Sequence, residues 1–227
     1  MTIYGLVAAR KGSKGLKDKN ILPLNGKPLI YYSIKASIES TLIDRTIFSS
    51  DSEHYCKLAS SFGAEVPFLR CSSAAGDNAR DGHVYQDMIK QMNLTQEDII
   101  VHLRPTNPAR TSGLIDKILR LMLDEAYDAV RTLSRSRFSP YKMVIKDDKW
   151  IDDLIAQPEK FLGTDMPRQL LPATYELNGN VDAFRVNNIA KYGSAYPRTT
   201  FGYLEDFVTV DIDTVEDFQS AESIVKS

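Results

Sequence analysis

Short apolar runs alternate with amphipathic stretches through the first half of the chain. Ile3–Ala9 reads as a buried strand, and Leu29–Ser40, opened by Pro28, reads as a helix. The pattern then predicts a strand at Thr46–Ser49, a helix at Glu53–Phe62 and a short strand at Glu65–Leu69. A helix over Gly82–Met92 leads to a strand at Ile99–Leu103. Ser112–Asp124 gathers Ile115, Ile118, Leu119 and Met122 on one helical face, and Ala129–Leu133 supplies another strand. Strands alternating with helices predict an α/β fold: a doubly wound, mostly parallel sheet of the Rossmann-like type. Ligands of such sheets bind at the carboxyl ends of the strands. The loops after Ala9, Ser50, Leu69 and Leu103 are therefore where function is expected.

From about residue 134 to 180 the rhythm breaks. This stretch holds the only tryptophan, Trp150, several prolines and a strand-like piece at Lys142–Lys146. It reads either as an insertion that packs on a partner subunit or as a flap over the site. The α/β pattern resumes with strands at Val181–Arg185 and Val208–Ile212 and a last helix over Thr214–Val225. Residues 1–227 read as one domain carrying that small insertion.

Length and composition narrow the function classes. A chain of 227 residues can bury a proper core, and 43% apolar with 26% charged residues is ordinary globular usage. A formal net charge of −2 gives no general attraction to nucleic acid or acidic membrane, so any basic site must be local. Met1–Ala9 lacks the basic start and long apolar run of a signal peptide, and no apolar run approaches the ~18 residues of a membrane span. Cys56 and Cys71 make neither a disulfide framework nor a zinc motif, which fits a reducing cytoplasm.

The local basic site follows the first strand. Between Ala9 and Asn20 lie five cations (Arg10, Lys11, Lys14, Lys17 and Lys19) and two glycines, Gly12 and Gly15. Glycines let backbone N–H groups approach an anion while Lys and Arg neutralise it, as a triphosphate requires. The loop is neither a Walker A motif nor GxGxxG. Two carboxylates, Asp211 and Asp213, stand two apart at the end of a predicted strand and so face one side. Such a pair repels itself unless a cation or a basic group sits there, and magnesium, held by few protein oxygens plus phosphates and water, suits it. Capping of the last helix by Asp213 or Thr214 is the other reading.

The run Arg10-x-Gly12-Ser13-Lys14-Gly15-x-x-x-Lys19-Asn20 resembles the signature loop of the CMP-sialic acid synthetase (acylneuraminate cytidylyltransferase) family, relatives of the CMP-KDO synthetases. The resemblance continues through Leu103–Arg110, Pro167–Pro172, Asn178-Gly179 and Asp211–Thr214. It implies a sheet of the nucleotide-diphospho-sugar transferase type and transfer of CMP from CTP to the anomeric hydroxyl of an acidic 2-keto sugar, with release of pyrophosphate. It further implies a magnesium ion on Asp211 and Asp213 and a homodimer joined through the inserted segment. On this resemblance Arg10, Gly12, Ser13, Lys14, Lys19 and Asn20 hold the nucleotide, with Arg70, Asp77 and Asp81 framing cytosine and ribose. Lys19, Arg10, Asp211 and Asp213 carry catalysis. For Arg70 a surface ion pair is the competing reading. The sugar site falls to Arg104, Thr106, Lys142, Arg168, Tyr175, Asn178 and Asp182; a purely structural role competes for Tyr175 and Asn178. Arg168 suits bidentate recognition of a carboxylate.

The chain departs from the family pattern at four places. Arg104 stands where glutamine is common, Asp182 where tyrosine is common, Asp81 where Ser or Thr is common, and Glu176 near a usual basic residue. These changes of charge point to an acceptor other than N-acetylneuraminate, such as a legionaminic- or pseudaminic-type acid. A related nucleotidyltransferase with a phosphorylated or phosphonate acceptor, met by Arg104, is the alternative, and a silent nucleotide-binding protein is a third. His54, His83 and His102 form no nucleophilic set and read as structural.

Overall fold

The computed structural model describes residues 1–12, 16–76, 79–146, 151–155, 164–206 and 210–225. Ser13, Lys14, Asp77 and Trp150, together with Val208, lie outside the described residues. The elements run β1 (Ile3–Ala8), the short pair β2 (Pro23–Leu24) and β3 (Lys27–Pro28), α1 (Leu29–Ile38), β4 (Arg45–Ser49) and α2 (Glu53–Ser61). They continue with α3 (Ser72–Ala75), α4 (Asp81–Met92), β5 (Ile99–His102), α5 (Ser112–Asp124) and β6 (Ala129–Arg135). The last are β7 (Val144–Lys146), β8 (Ile151–Asp153), β9 (Tyr175–Arg185), α6 (Asn187–Tyr192), β10 (Phe201–Leu204) and α7 (Val215–Ile224).

Six strands form one sheet in the order β10-β6-β9-β5-β1-β4. The β1–β4, β1–β5 and β10–β6 pairs are parallel, and β9 runs antiparallel to both β5 and β6. Alternate residues of the central strands feed two cores. Ile3, Val7, Ile99 and Val101 pack with Ile30 and Ile34 of α1 and Ile115 and Ile118 of α5. Tyr4, Leu6 and Ile100 pack with Val84, Tyr85 and Met88 of α4 on the opposite face. The sheet is thus doubly wound and mostly parallel, as the pattern predicts. After β1 the chain goes to β4 on one side and returns to β5 on the other, so the carboxyl ends of β1 and β5 flank the switch point. Among the described residues no helix is long and apolar enough to cross a membrane.

Three predicted strands come out differently. Glu65–Leu69 contributes only a bridge from Glu65 to Ile47; Pro67, which has no N–H, cannot extend the ladder. The strand expected at Val181–Arg185 begins at Tyr175, inside the segment read as irregular. Its buried Asn178, Asn180 and Asp182 hide the apolar signal. Val210–Ile212 is not strand: Ile212 N–H donates to Thr106 O at 2.9 Å, and its side chain packs with Leu24, Leu29 and Ala221. The edge strand is instead β10, which the pattern missed. Asp211 and Asp213 therefore sit on an extended tail segment, not at a strand end.

Helix α1 lies close over β1 because Gly5 has no side chain. A Cβ there would meet Ser37 Oγ at 2.1 Å and Ile43 Cδ1 at 3.0 Å, and Ser37 is fully buried. Gly5→Ala is expected to lower the unfolding free energy by roughly 1–3 kcal/mol, the usual cost of overpacking. A urea titration checks this, and an unchanged midpoint would contradict the close seating of α1.

Candidate active site

The loop leaving β1 is fixed at both ends. Lys11 N–H donates to Asp51 Oδ1 at 2.8 Å, which ties it to the end of β4. Gly12 takes φ +80°, a conformation that favours glycine. Asp18 is left-handed at φ 52°, accepts from Tyr55 Oη at 2.9 Å and starts a turn of 3-10 helix, Lys19–Ile21. Within that turn Asn20 is buried, and its Nδ2 donates to Arg10 O at 3.2 Å. Asn20 thereby clamps the start of the loop. Lys19 points the other way, donating from Nζ to Ile212 O at 2.6 Å and to Asp213 Oδ1 at 2.8 Å.

Beside this loop a cleft of about 220 Å³ opens at the carboxyl ends of β1 and β5. Arg10, Asn20, Arg70, Asp81, Arg104 and Thr106 line it, so the structure brings predicted nucleotide-side and sugar-side residues to one place. Arg70 is buried and donates from Nε to Ser49 Oγ at 3.0 Å and from Nη2 to Ser49 O. Burial pushes its guanidinium down, against the pull of Asp51 and Asp87. Its contacts are with β4, so it builds the wall and is not the surface ion pair of the competing reading.

The opposite wall is an ion-pair network. Arg104 Nη1 donates to Asp182 Oδ2 at 2.6 Å, and Nη2 pairs with Asp81. Arg131 holds Asp182 from the other side through Nε and Nη2, each at 3.0 Å. Three of the four departures from the family pattern, Arg104, Asp182 and Asp81, are thus one connected unit. Behind it Arg110, which sequence reasoning gave no role, donates to Ser33 Oγ at 2.7 Å, to Arg104 O at 2.9 Å and to Asn180 O. Asn178 is buried on the scaffold: its Nδ2 donates to Glu205 Oε1 at 3.0 Å and its Oδ1 accepts from Thr132 Oγ1 at 2.6 Å. Burial raises the Glu205 carboxyl, while Asn180 and Asn178 hold it down.

Asp211 and Asp213 flank Ile212, whose N–H is bonded to Thr106 O of the cleft lining. The last helix is capped by Thr214, whose Oγ1 accepts from Asp217 N–H at 3.2 Å, so neither aspartate is used as the cap. Asp213 is 75% exposed and its partner Lys19 12%. Surrounding protein raises the Asp211 carboxyl above the usual range, with the Asp213 charge adding to the rise and Thr106 and Lys19 opposing it. Asn107, buried beside Asp211 with Nδ2 at 3.5 Å from its Oδ1, has an Oδ1 without a hydrogen-bond partner among the described residues. Hard oxygen donors, one of them disfavoured as an anion and one orphaned, fit a divalent cation.

Lys142, Arg168 and Tyr175 do not line this cleft. Lys142 Nζ donates to Thr164 O, while Arg168 and Tyr175 are exposed. His102, by contrast, lines the cleft floor. Its Nδ1 shares a hydrogen bond of 2.9 Å with Tyr85 Oη, which is 3.0 Å from Tyr196 Oη. The Tyr196 ring in turn stacks on the Arg131 guanidinium at 4.2 Å. Arg131, Glu205 and Tyr196 carried no local sequence signal, because each gains its role from partners far away in the chain; Arg110 ends the Leu103–Arg110 stretch, but its role too comes from distant partners.

A cytidylyltransferase family model matches residues 4–151. The chain is similar to post-translational flagellin modification protein B of Campylobacter coli, with 29% identity over 97% of this chain and 93% of that protein. It is similar to the CMP-N,N'-diacetyllegionaminic acid synthase of Legionella pneumophila, with 28% identity over 100% of this chain and 97% of that protein. The solved structure of CMP:2-keto-3-deoxy-manno-octonic acid synthetase complexed with CTP shares the fold at a TM-score of 0.68. That match covers 99% of this chain and 98% of the other at 15% identity.

Burial and the nearby arginines, Arg104 first, hold the His102 imidazole well below its ordinary range, so the folded protein keeps it neutral. The unfolded chain takes up that proton near pH ~6.5. Stability is therefore expected to fall by up to about 1.4 kcal/mol per pH unit below that value on account of His102. Urea midpoints followed from pH 7 to 5 check this: His102→Gln should show a shallower acid decline than wild type, and equal slopes would contradict the neutral imidazole.

Proposed function

The chain belongs to the cytidylyltransferase family, and from that premise we propose that it transfers CMP from CTP to the anomeric hydroxyl of an acidic nine-carbon 2-keto sugar, releasing pyrophosphate. The observation that carries this reading is the cleft itself. Arg10, from the loop after β1, lines it together with Arg104 of the Asp182 network, at the switch point of the sheet. A triphosphate at Arg10 and an acid at Arg104 would set a sugar hydroxyl against the α-phosphorus. Most of the catalysis is then positioning and neutralisation of charge.

In this proposal Arg10 and Lys19 take the triphosphate, with Ser13 and Lys14 of the same loop. Asp211 and Asp213 hold a magnesium ion, which when bound supplies charge neutralisation and lowers the pKa of a coordinated hydroxyl. Lys19, now on Asp213, is within reach of both the carboxylate pair and the loop, so it can follow charge as it develops. The network around Arg104 and the similarity to a legionaminic acid synthase support a legionaminic- or pseudaminic-type acceptor. The protein acts as a homodimer in the cytoplasm. Phe138, Ile145, Leu154, Leu170 and Leu177 all expose apolar surface between residues 138 and 177, and a second copy is the natural cover for it. Lys142 and Arg168 then engage the acceptor from that copy.

Pyrophosphate release from CTP tests the reading. The acceptors are N-acetylneuraminate, legionaminic- and pseudaminic-type acids, KDO and a phosphonate. Turnover is expected with a nonulosonic acid, best with the legionaminic or pseudaminic type, and at background when magnesium is withheld. Turnover with the phosphonate alone would overturn the sugar assignment, and full turnover without a divalent cation would overturn the metal role of the aspartates.

A further inference from the structure

Arg104 holds two carboxylates that differ sharply in what it costs to let them go. Asp182 is 0% exposed and is also gripped by both Nε and Nη2 of Arg131. Removing a partner from so buried a charge is strongly destabilising. Asp81 is 49% exposed, sits in the first turn of α4 and meets a single nitrogen of the Arg104 fork, Nη2. With Asp81 half open to solvent, this pair is better screened than the Asp182 pair and is the weaker of the two. The charges make the same division. Arg104, Arg131 and Asp182 alone leave one positive charge on the cleft wall, and Asp81 cancels it.

We propose that Asp81 is an internal competitor for the acceptor's carboxylate at Arg104, so that the acceptor binds by exchanging its own carboxylate for that of Asp81. The exchange keeps the wall neutral, keeps Asp182 fully paired and needs only a side-chain rotation at the helix start. It also makes Arg104 selective: a sugar without an acid group cannot displace Asp81 without leaving Nη2 facing no anion. This inference rests on the reading of the cleft given above and deepens it. The other source of a displacing anion is a phosphate of CTP, and the experiment separates the two.

The experiment measures KM for acceptor and for CTP, each at saturating co-substrate, in wild type and Asp81→Asn, with Asp81→Ser as a second variant should the first fold poorly. Acceptor KM is expected to fall roughly two- to fivefold, the worth of an exposed ion pair, with a smaller change in CTP KM. In an Arg104→Gln background the same Asp81 substitution should no longer lower acceptor KM. An acceptor KM that is unchanged or raised, a fall confined to CTP KM, or an effect that persists without Arg104 overturns the inference. Wild-type protein that turns over no acidic acceptor overturns the reading of the site and this inference together; turnover with the wrong KM pattern overturns the inference alone.

Discussion

Arg110 is buried behind the cleft, and its guanidinium joins three parts of the chain that are distant in sequence: Ser33 on α1, the Arg104 carbonyl and the Asn180 carbonyl on β9. Ser33 Oγ closes the ring by donating to Arg104 O at 3.0 Å. Backbone carbonyls at this depth need donors, and a rigid planar fork can serve several at fixed angles. The loop after β5 therefore cannot drift from β9, and Arg104 is presented to Asp182 at bonding distance. Thr106, on the same loop, receives the tail segment through the Ile212 hydrogen bond, which brings Asp211 and Asp213 toward Lys19. One buried cation thus sets both the Arg104–Asp182 wall and the position of the carboxylate pair.

Charge is the currency of the site, although the chain as a whole is nearly neutral. The cations are of two kinds. Arg70, Arg110 and Arg131 are engaged with backbone or with Asp182 and serve as walls. Lys19 and Arg104 each have one such fixed contact, with Ile212 O and Asp182, and a second partner that solvent reaches, Asp213 and Asp81. Exposed pairs contribute little to stability, so exchanging such a partner for a substrate anion costs little. Rigid walls with exchangeable inner contacts are what positioning catalysis asks of a protein.

Much of the fold was legible in the sequence because apolar periodicity reports burial directly. Ser112–Asp124 has one apolar face and is a helix over those residues. The loop after β1 was legible through glycine, charge and its place at a strand end. Other features were hidden for physical reasons. β9 buries Asn178, Asn180 and Asp182, so its inner face looks polar until Glu205, Arg104 and Arg131 arrive to satisfy it. The predicted strand Val208–Ile212 rested on apolar residues, yet over 210–212 there is no ladder and Ile212 is buried by packing on Leu24, Leu29 and Ala221. Of the predicted site, Arg10, Asn20, Arg70, Asp81, Arg104 and Thr106 share the cleft. Asn20 and Arg70 build the site through hydrogen bonds that the sequence did not reveal, and Asn178 takes the structural role that was its competing reading.

The proposed function puts CTP in the cleft beside the Arg10–Lys19 loop. Calorimetric titration of CTP into wild type and Lys19→Ala, with melting curves to establish that both are folded, tests it most directly. Loss of one charge-assisted contact is expected to weaken binding roughly ten- to a hundredfold while the melting temperature stays close to that of wild type. Equal affinities in two folded proteins would contradict the claim.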